Sequence, residues 1–161
     1  MESLSRRRAF KFGAALAVSL ALAACASSSS DAPNGAATPG SLQDFTANVG
    51  DRVFFETDSS ELTQTAQNTL DKQATWLNRY SRYTFTIEGH ADERGTREYN
   101  FALGARRAET AKNYLVAKGV AVSRIKTISY GKERPVAVCD DISCWSQNRR
   151  AVTVLAGAPT S

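Results

Sequence analysis

Tyr83, Phe85 and Ile87 alternate with Thr84, Thr86 and Glu88, a period of two that predicts a half-buried strand in the middle of the chain. Upstream, Leu62, Ala66, Leu70, Ala74 and Leu77 recur at helical spacing as far as about Arg79, with Thr63 placed to cap the first turn. Arg52-Val53-Phe54-Phe55-Glu56 reads as a short strand before that helix, with Thr57 to Ser60 as the turn between them. Downstream, a loop from His90 to Thr96 leads into a second helix from about Glu98 to Lys118, which Gly119 stops. Arg124 to Tyr130 predicts a third strand closed by Gly131. Pro135 and a segment with Cys139 and Cys144 then interrupt regular structure until a fourth strand, Arg150 to Leu155, and a frayed tail. The order strand, helix, strand, helix, strand, loop, strand predicts an α/β (α+β) layer with a small four-stranded mixed sheet. Right-handed crossovers would place its two main helices on one face.

The second helix carries an anomaly. At about 100° per residue, Phe101, Leu103, Gly104, Ala108, Ala111, Tyr114 and Leu115 fall on one side. Arg107 falls among them. A buried arginine without a partner costs roughly 3–5 kcal/mol. It therefore needs a carboxylate, either Asp92 or Glu93 from the preceding loop or one brought by a ligand.

The N-terminal segment changes the compartment. Arg6, Arg7, Arg8 and Lys11 precede an apolar run from Phe12 to Ala24, which has the form of a secretory signal and is too short for a mature membrane span. The run ends in Leu22-Ala23-Ala24-Cys25, which resembles the lipobox of bacterial lipoproteins, so that Cys25 would be acylated and become the mature N-terminus. Ala26 follows where an acidic residue would favour inner-membrane retention, so the outer membrane is expected. From Ala26 to about Ser41 the composition is Ser, Ala, Pro, Gly, Asn and Thr, a flexible tether. The expected organisation is a signal peptide over 1–24, a lipidated N-terminus and linker over 25–45, and a globular domain over 46–161.

Of the formal net charge of +4, removal of residues 1–24 takes away four basic groups and one acidic group and leaves about +1. A basic face of the kind nucleic acid requires is not supported by that balance. With Cys25 assigned to lipid, Cys139 and Cys144 remain as an even pair in an exported chain, and a disulfide is the natural reading.

Enzymatic readings lack parts. His90 is the single histidine, and no Ser or Cys sits in an elbow motif, so a nucleophilic triad fails. A metal hydrolase would need His90, Asp92 and Glu93 as ligands, a weak combination. His90 is better read as a structural group that hydrogen-bonds the strand-to-helix loop. No cofactor or metal is expected. Binding is better motivated. Asp92 in the loop and Arg107 on the helix offer opposite charges for the two ends of a zwitterion. Gly95 and Thr96 lie where backbone N–H groups at a helix N-terminus favour a second carboxylate. Tyr99, Asn100 and Phe55 would complete the walls. An internal Asp92 to Arg107 salt bridge that serves only the fold is the alternative.

Four segments, FFETDSSEL, EGHADERGTREYNFALGARRAETAKNYL, ISYGKERP and QNRRAV, resemble the OmpA-like C-terminal domain family, and the likeness covers roughly Val53 to Val154. It implies a βαβαβ-β layer and a non-enzymatic, lipid-anchored periplasmic domain that binds the diaminopimelate stem peptide of peptidoglycan. In the family pattern N-x-x-L-[SG]-x-x-R-A, here Asn100, Leu103, Gly104, Arg107 and Ala108, the arginine takes a diaminopimelate carboxylate. The family aspartate that takes the ligand's ammonium falls on Asp92. The resemblance also implies a protein partner, the β-propeller TolB of the Tol system that acts in envelope constriction during division. A wall-binding relative without TolB, or a metal-dependent wall hydrolase, is the alternative. Two features depart from the family. Phe55-Glu56-Thr57-Asp58-Ser59 stands where F-D-F-D-S is common, which puts a contact from Glu56 in doubt, and the cysteine pair lies outside the common pattern.

Overall fold

The computed structural model describes residues 37–156. The signal peptide, Cys25 and most of the linker lie outside the described residues. Four strands, β1 (Arg52–Phe54), β2 (Phe85–His90), β3 (Ile125–Gly131) and β4 (Arg150–Leu155), form one mixed sheet in the order β1-β4-β2-β3. β4 runs antiparallel to both β1 and β2, whereas β2 and β3 are parallel and joined through a helix. That is the helical crossover that parallel neighbours require.

The two principal helices are α2 (Gln64–Arg79) and α3 (Arg97–Ala117), and both stop and start where local chemistry dictates. Thr63 Oγ1 accepts from Ala66 N–H and Thr96 Oγ1 from Tyr99 N–H, so each helix has a hydroxyl N-cap. Gly119, at φ +92°, ends the turn after α3. α2 buries Leu70, Ala74, Trp76 and Leu77, and α3 buries Ala108, Ala111 and Leu115. Both line one core with Phe85, Ile87, Ala151 and Leu155 of the sheet.

α3 lies very close to β2. A Cβ on Gly104 would come within 2.5 Å of Ser129 Oγ and 2.8 Å of the Gly89 carbonyl oxygen. Ser129 Oγ in turn donates to the Phe101 carbonyl at 2.6 Å, which ties the helix to β3 as well. Small residues at 89 and 104 therefore set the depth at which Arg107, one turn further along, enters the interior.

Three expectations need correction. Phe101 is 56% exposed. The turn at Gly131 packs against its backbone, since a Cβ on Gly131 would meet Phe101 N at 2.9 Å. The linker does not run to residue 45, because Phe45 is completely buried. Leu42–Asp44 (α1) and the π-helical turn Phe45–Val49 dock on α2, with Phe45 4.9 Å from the Trp76 ring and Trp76 Nε1 donating to Asp44 at 2.8 Å. Leu42, Phe45 and Val49 are spaced for one helical face, a signal that the surrounding polar composition obscures. The cysteine segment is not irregular throughout, for it contains α4 (Ile142–Asn148), capped by Asp141 and joined to the preceding loop by the Cys139–Cys144 disulfide.

Candidate functional site

Arg107 is 0% exposed. Its guanidinium meets no carboxylate. Nε donates to the Ser59 carbonyl at 2.8 Å, Nη1 to the His90 carbonyl at 2.9 Å and Nη2 to the Glu56 carbonyl at 3.1 Å, while the Phe55 ring lies 5.2 Å from its central carbon. Three backbone carbonyls, two from the β1–α2 connection and one from the end of β2, thus converge on one cation. Of the two sources expected for a carboxylate, the protein itself supplies none, and carbonyl dipoles provide the stabilisation instead. Burial, followed by the nearby Arg149, pushes the Arg107 pKa down to about 10, so the group stays cationic at neutral pH. Three of its five N–H groups are used, which leaves one on each terminal nitrogen.

Asp92, also buried, forms its ion pairs elsewhere. Arg94 Nη2 approaches Oδ2 at 2.7 Å and Arg149 Nη1 approaches the same oxygen at 3.3 Å. Burial alone would raise this carboxyl, but the hydrogen bonds from the Arg94 side chain and backbone and from Arg149 outweigh it and hold the group below its ordinary value. Arg149 is itself fixed, since its Nε donates to the Phe55 carbonyl at 3.0 Å. The internal Asp92 to Arg107 pair is therefore not what these residues form.

Asp92 and Arg107 nonetheless face the same space. A cleft of about 220 Å³ is lined by both, together with Thr57, Asp58, Arg94, Gly95, Tyr99, Asn100 and Leu103. Six residues singled out from the sequence, Asp92, Gly95, Tyr99, Asn100, Leu103 and Arg107, are brought together here. Phe55, Glu56 and Thr96 stand behind the wall: Phe55 under the guanidinium, Glu56 through its carbonyl with its side chain in solvent, and Thr96 as the helix cap. Asn100 locks the loop by donating to the Arg94 carbonyl at 2.7 Å.

Sequence reasoning missed Thr57, Asp58, Arg94 and Arg149. Asp58 has φ +57°, rare for a residue with a side chain, and it accepts a hydrogen bond from Tyr99 Oη across the cleft. Arg149 is 57 residues from Asp92 in sequence, and no local pattern links them. The cleft joins acidic and basic groups with an apolar wall, chemistry suited to a small zwitterion with a short aliphatic stem.

His90 departs from its expected role. Its backbone carbonyl serves Arg107, but the ring lies beside Tyr130, 3.7 Å from Glu88, and neither ring nitrogen has a hydrogen-bond partner. Burial, then Arg150, Arg134 and Arg52, push its pKa down to about 3, so it is neutral at physiological pH. Among the described residues no three His, Cys, Asp or Glu side chains gather as a metal site, so His90, Asp92 and Glu93 do not form the ligand set that a metal hydrolase would require.

The OmpA family model matches residues 54–149, which take in α2, β2, α3, β3, the lining of the cleft and α4. A peptidoglycan-associated lipoprotein of Mesorhizobium japonicum is 66% identical over 154 residues, covering 89% of this chain and 90% of its own. One from Rhizobium meliloti is 66% identical over 153 residues, covering 89% and 86% respectively. The crystal structure of the peptidoglycan-associated lipoprotein from Burkholderia pseudomallei superposes with a TM-score of 0.67 at 36% identity, over 70% of this chain and 98% of that one.

Proposed function

The chain belongs to the OmpA family, and from that premise we propose that it is an outer-membrane lipoprotein whose periplasmic domain binds the diaminopimelate stem peptide of peptidoglycan and tethers membrane to wall. The observation that carries the reading is the shared cleft of Asp92 and Arg107, two opposite charges that line one cavity without pairing with each other. The free end of a diaminopimelate side chain carries an ammonium and a carboxylate on one carbon. Asp92 would take the ammonium, and the two remaining N–H groups of Arg107 would take the carboxylate. Leu103 would pack on the methylene stem. Charge-assisted bonds of this kind contribute about 1.5–3 kcal/mol each.

The name shared by the relatives supports wall binding. The lipobox supports acylation at Cys25 and Ala26 after it supports placement in the outer membrane, and no described helix is long and apolar enough to cross a membrane. A role with the TolB propeller in the Tol system and in division rests on family likeness alone.

Co-sedimentation of the full-length protein in mild detergent with purified sacculi tests the proposal. Wild type should sediment with sacculi and leave them undigested, while folded Asp92→Ala and Arg107→Ala variants stay in the supernatant. Equal sedimentation of all three would remove the assignment. Release of soluble muropeptides would favour a hydrolase instead, and failure of sedimented protein to retain purified TolB would favour a wall binder outside the Tol system.

A further inference from the structure

The Asp92 carboxylate already has its acceptor positions filled by protein. Oδ1 accepts from the Arg94 backbone N–H and from Arg94 Nε, both at 3.2 Å, and Oδ2 accepts from Arg94 Nη2 at 2.7 Å and Arg149 Nη1 at 3.3 Å. A carboxylate offers about four such positions. An incoming ammonium must therefore displace a donor.

The donors differ in how readily they can leave. The Arg149 side chain is 5% exposed and also holds the Phe55 carbonyl, so its departure would uncover a buried acceptor. The Arg94 backbone N–H is fixed by the turn, whose carbonyl receives Asn100 Nδ2. The Arg94 side chain is 40% exposed, and it has a second seat. Its central carbon lies 4.1 Å from the centroid of the Trp145 ring, and the Trp145 indole N–H is bound to the Glu93 carboxylate. Trp145 follows Cys144 directly on α4, so the Cys139–Cys144 disulfide closes the loop that leads into the helix carrying this seat.

We propose that Arg94 is an internal competitor for the ligand's ammonium: its guanidinium occupies Asp92, yields to the ammonium, and stays on the platform made by Trp145 and Glu93. The inference rests on the wall-binding reading above. Affinity at the cleft is then a difference between two ion pairs. Arg94 keeps Asp92 ionised and in place beforehand, and it also lowers the affinity for any amine. A ligand that supplies an ammonium alone gains little from the exchange. One that also engages Arg107 overcomes it. The disulfide-closed segment thereby acquires a role, as the support that keeps the displaced arginine from lying free in solvent.

The test uses the full-length protein in mild detergent and the soluble tripeptide L-alanyl-γ-D-glutamyl-meso-diaminopimelate, titrated by calorimetry into wild type, Arg94→Gln, Arg94→Lys and Asp92→Asn. Arg94→Gln removes the competitor and leaves Arg149 on Asp92, so binding should tighten about twofold to fivefold, the range that an exposed ion pair is worth. Arg94→Lys restores a cation and should return the affinity toward wild type. Equal or weaker binding by folded Arg94→Gln would overturn the inference, since Arg94 would then be a bystander or a ligand contact. If wild type does not bind the tripeptide, or Asp92→Asn binds as well as wild type, the wall-binding assignment itself fails and the competitor role falls with it.

Discussion

Gly89 of β2 and Gly104 of α3 meet backbone to backbone, so closely that a Cβ built on Gly89 would stand 1.8 Å from the Gly104 carbonyl oxygen. The contact seats α3 on the sheet at the turn that precedes Arg107. Gly104→Ala should destabilise the domain by about 1–3 kcal/mol through overpacking. It should also weaken sacculus binding, because α3 cannot keep its depth. Urea unfolding together with co-sedimentation measures both. Gly89→Ala should cost more, since its obstacle is backbone, whereas the nearest atom to a Cβ on Gly104 is the Ser129 hydroxyl.

Arg107→Lys should fail where charge alone would suggest tolerance. A lysine ammonium cannot reach the Ser59, His90 and Glu56 carbonyls from one planar fork. The buried His90 carbonyl left without a donor costs about 1–3 kcal/mol by itself. Thermal unfolding should show that loss, and binding should fall with it.

His90 gives the domain a pH dependence with a definite sign. Its pKa is about 6.5 in the unfolded chain and about 3 in the folded one, where burial and then Arg150, Arg134 and Arg52 oppose its charge. Between these values the unfolded state binds the extra proton, so the contribution is fully present above pH 6.5 and is lost as the pH falls toward 3. The slope approaches about 1.4 kcal/mol per pH unit. Denaturant unfolding of wild type from pH 7 to pH 5, a window above most carboxylate titration, should show this decline, and His90→Gln should flatten it.

Phe45→Ala should destabilise the domain by about 3–5 kcal/mol, the range for a buried aromatic. A chain begun at residue 46 should unfold at markedly lower denaturant than one begun at residue 37. The comparison locates the boundary between tether and domain.

Strong periodic segments made most of the fold readable in the sequence. α2 and β4 lie at the expected bounds, and the interior placement of Arg107 followed from helical spacing alone. Three kinds of feature were not readable. Leu42–Val49 and α4 are too short for periodicity to rise above their polar surroundings. Phe101 has an apolar side chain on a helix whose edge faces solvent, and spacing does not report how wide the buried sector is. The partners of Arg107 are carbonyls, a group that every residue carries, so residue type could not reveal that Glu56, Ser59 and His90 would converge. Likewise Asp92 finds Arg149 only because β4 runs beside β1 and β2.

The central claim is that Asp92 and Arg107 read the zwitterionic end of diaminopimelate. It is tested most directly by the equilibrium affinities of wild type and Arg107→Ala for two stem tripeptides that differ only in carrying diaminopimelate or lysine. The lysine side chain retains an ammonium and lacks the carboxylate. Wild type should prefer the diaminopimelate peptide by roughly tenfold or more, the value of one charge-assisted contact, and folded Arg107→Ala should show no preference. Equal affinity of wild type for the two peptides would contradict the account.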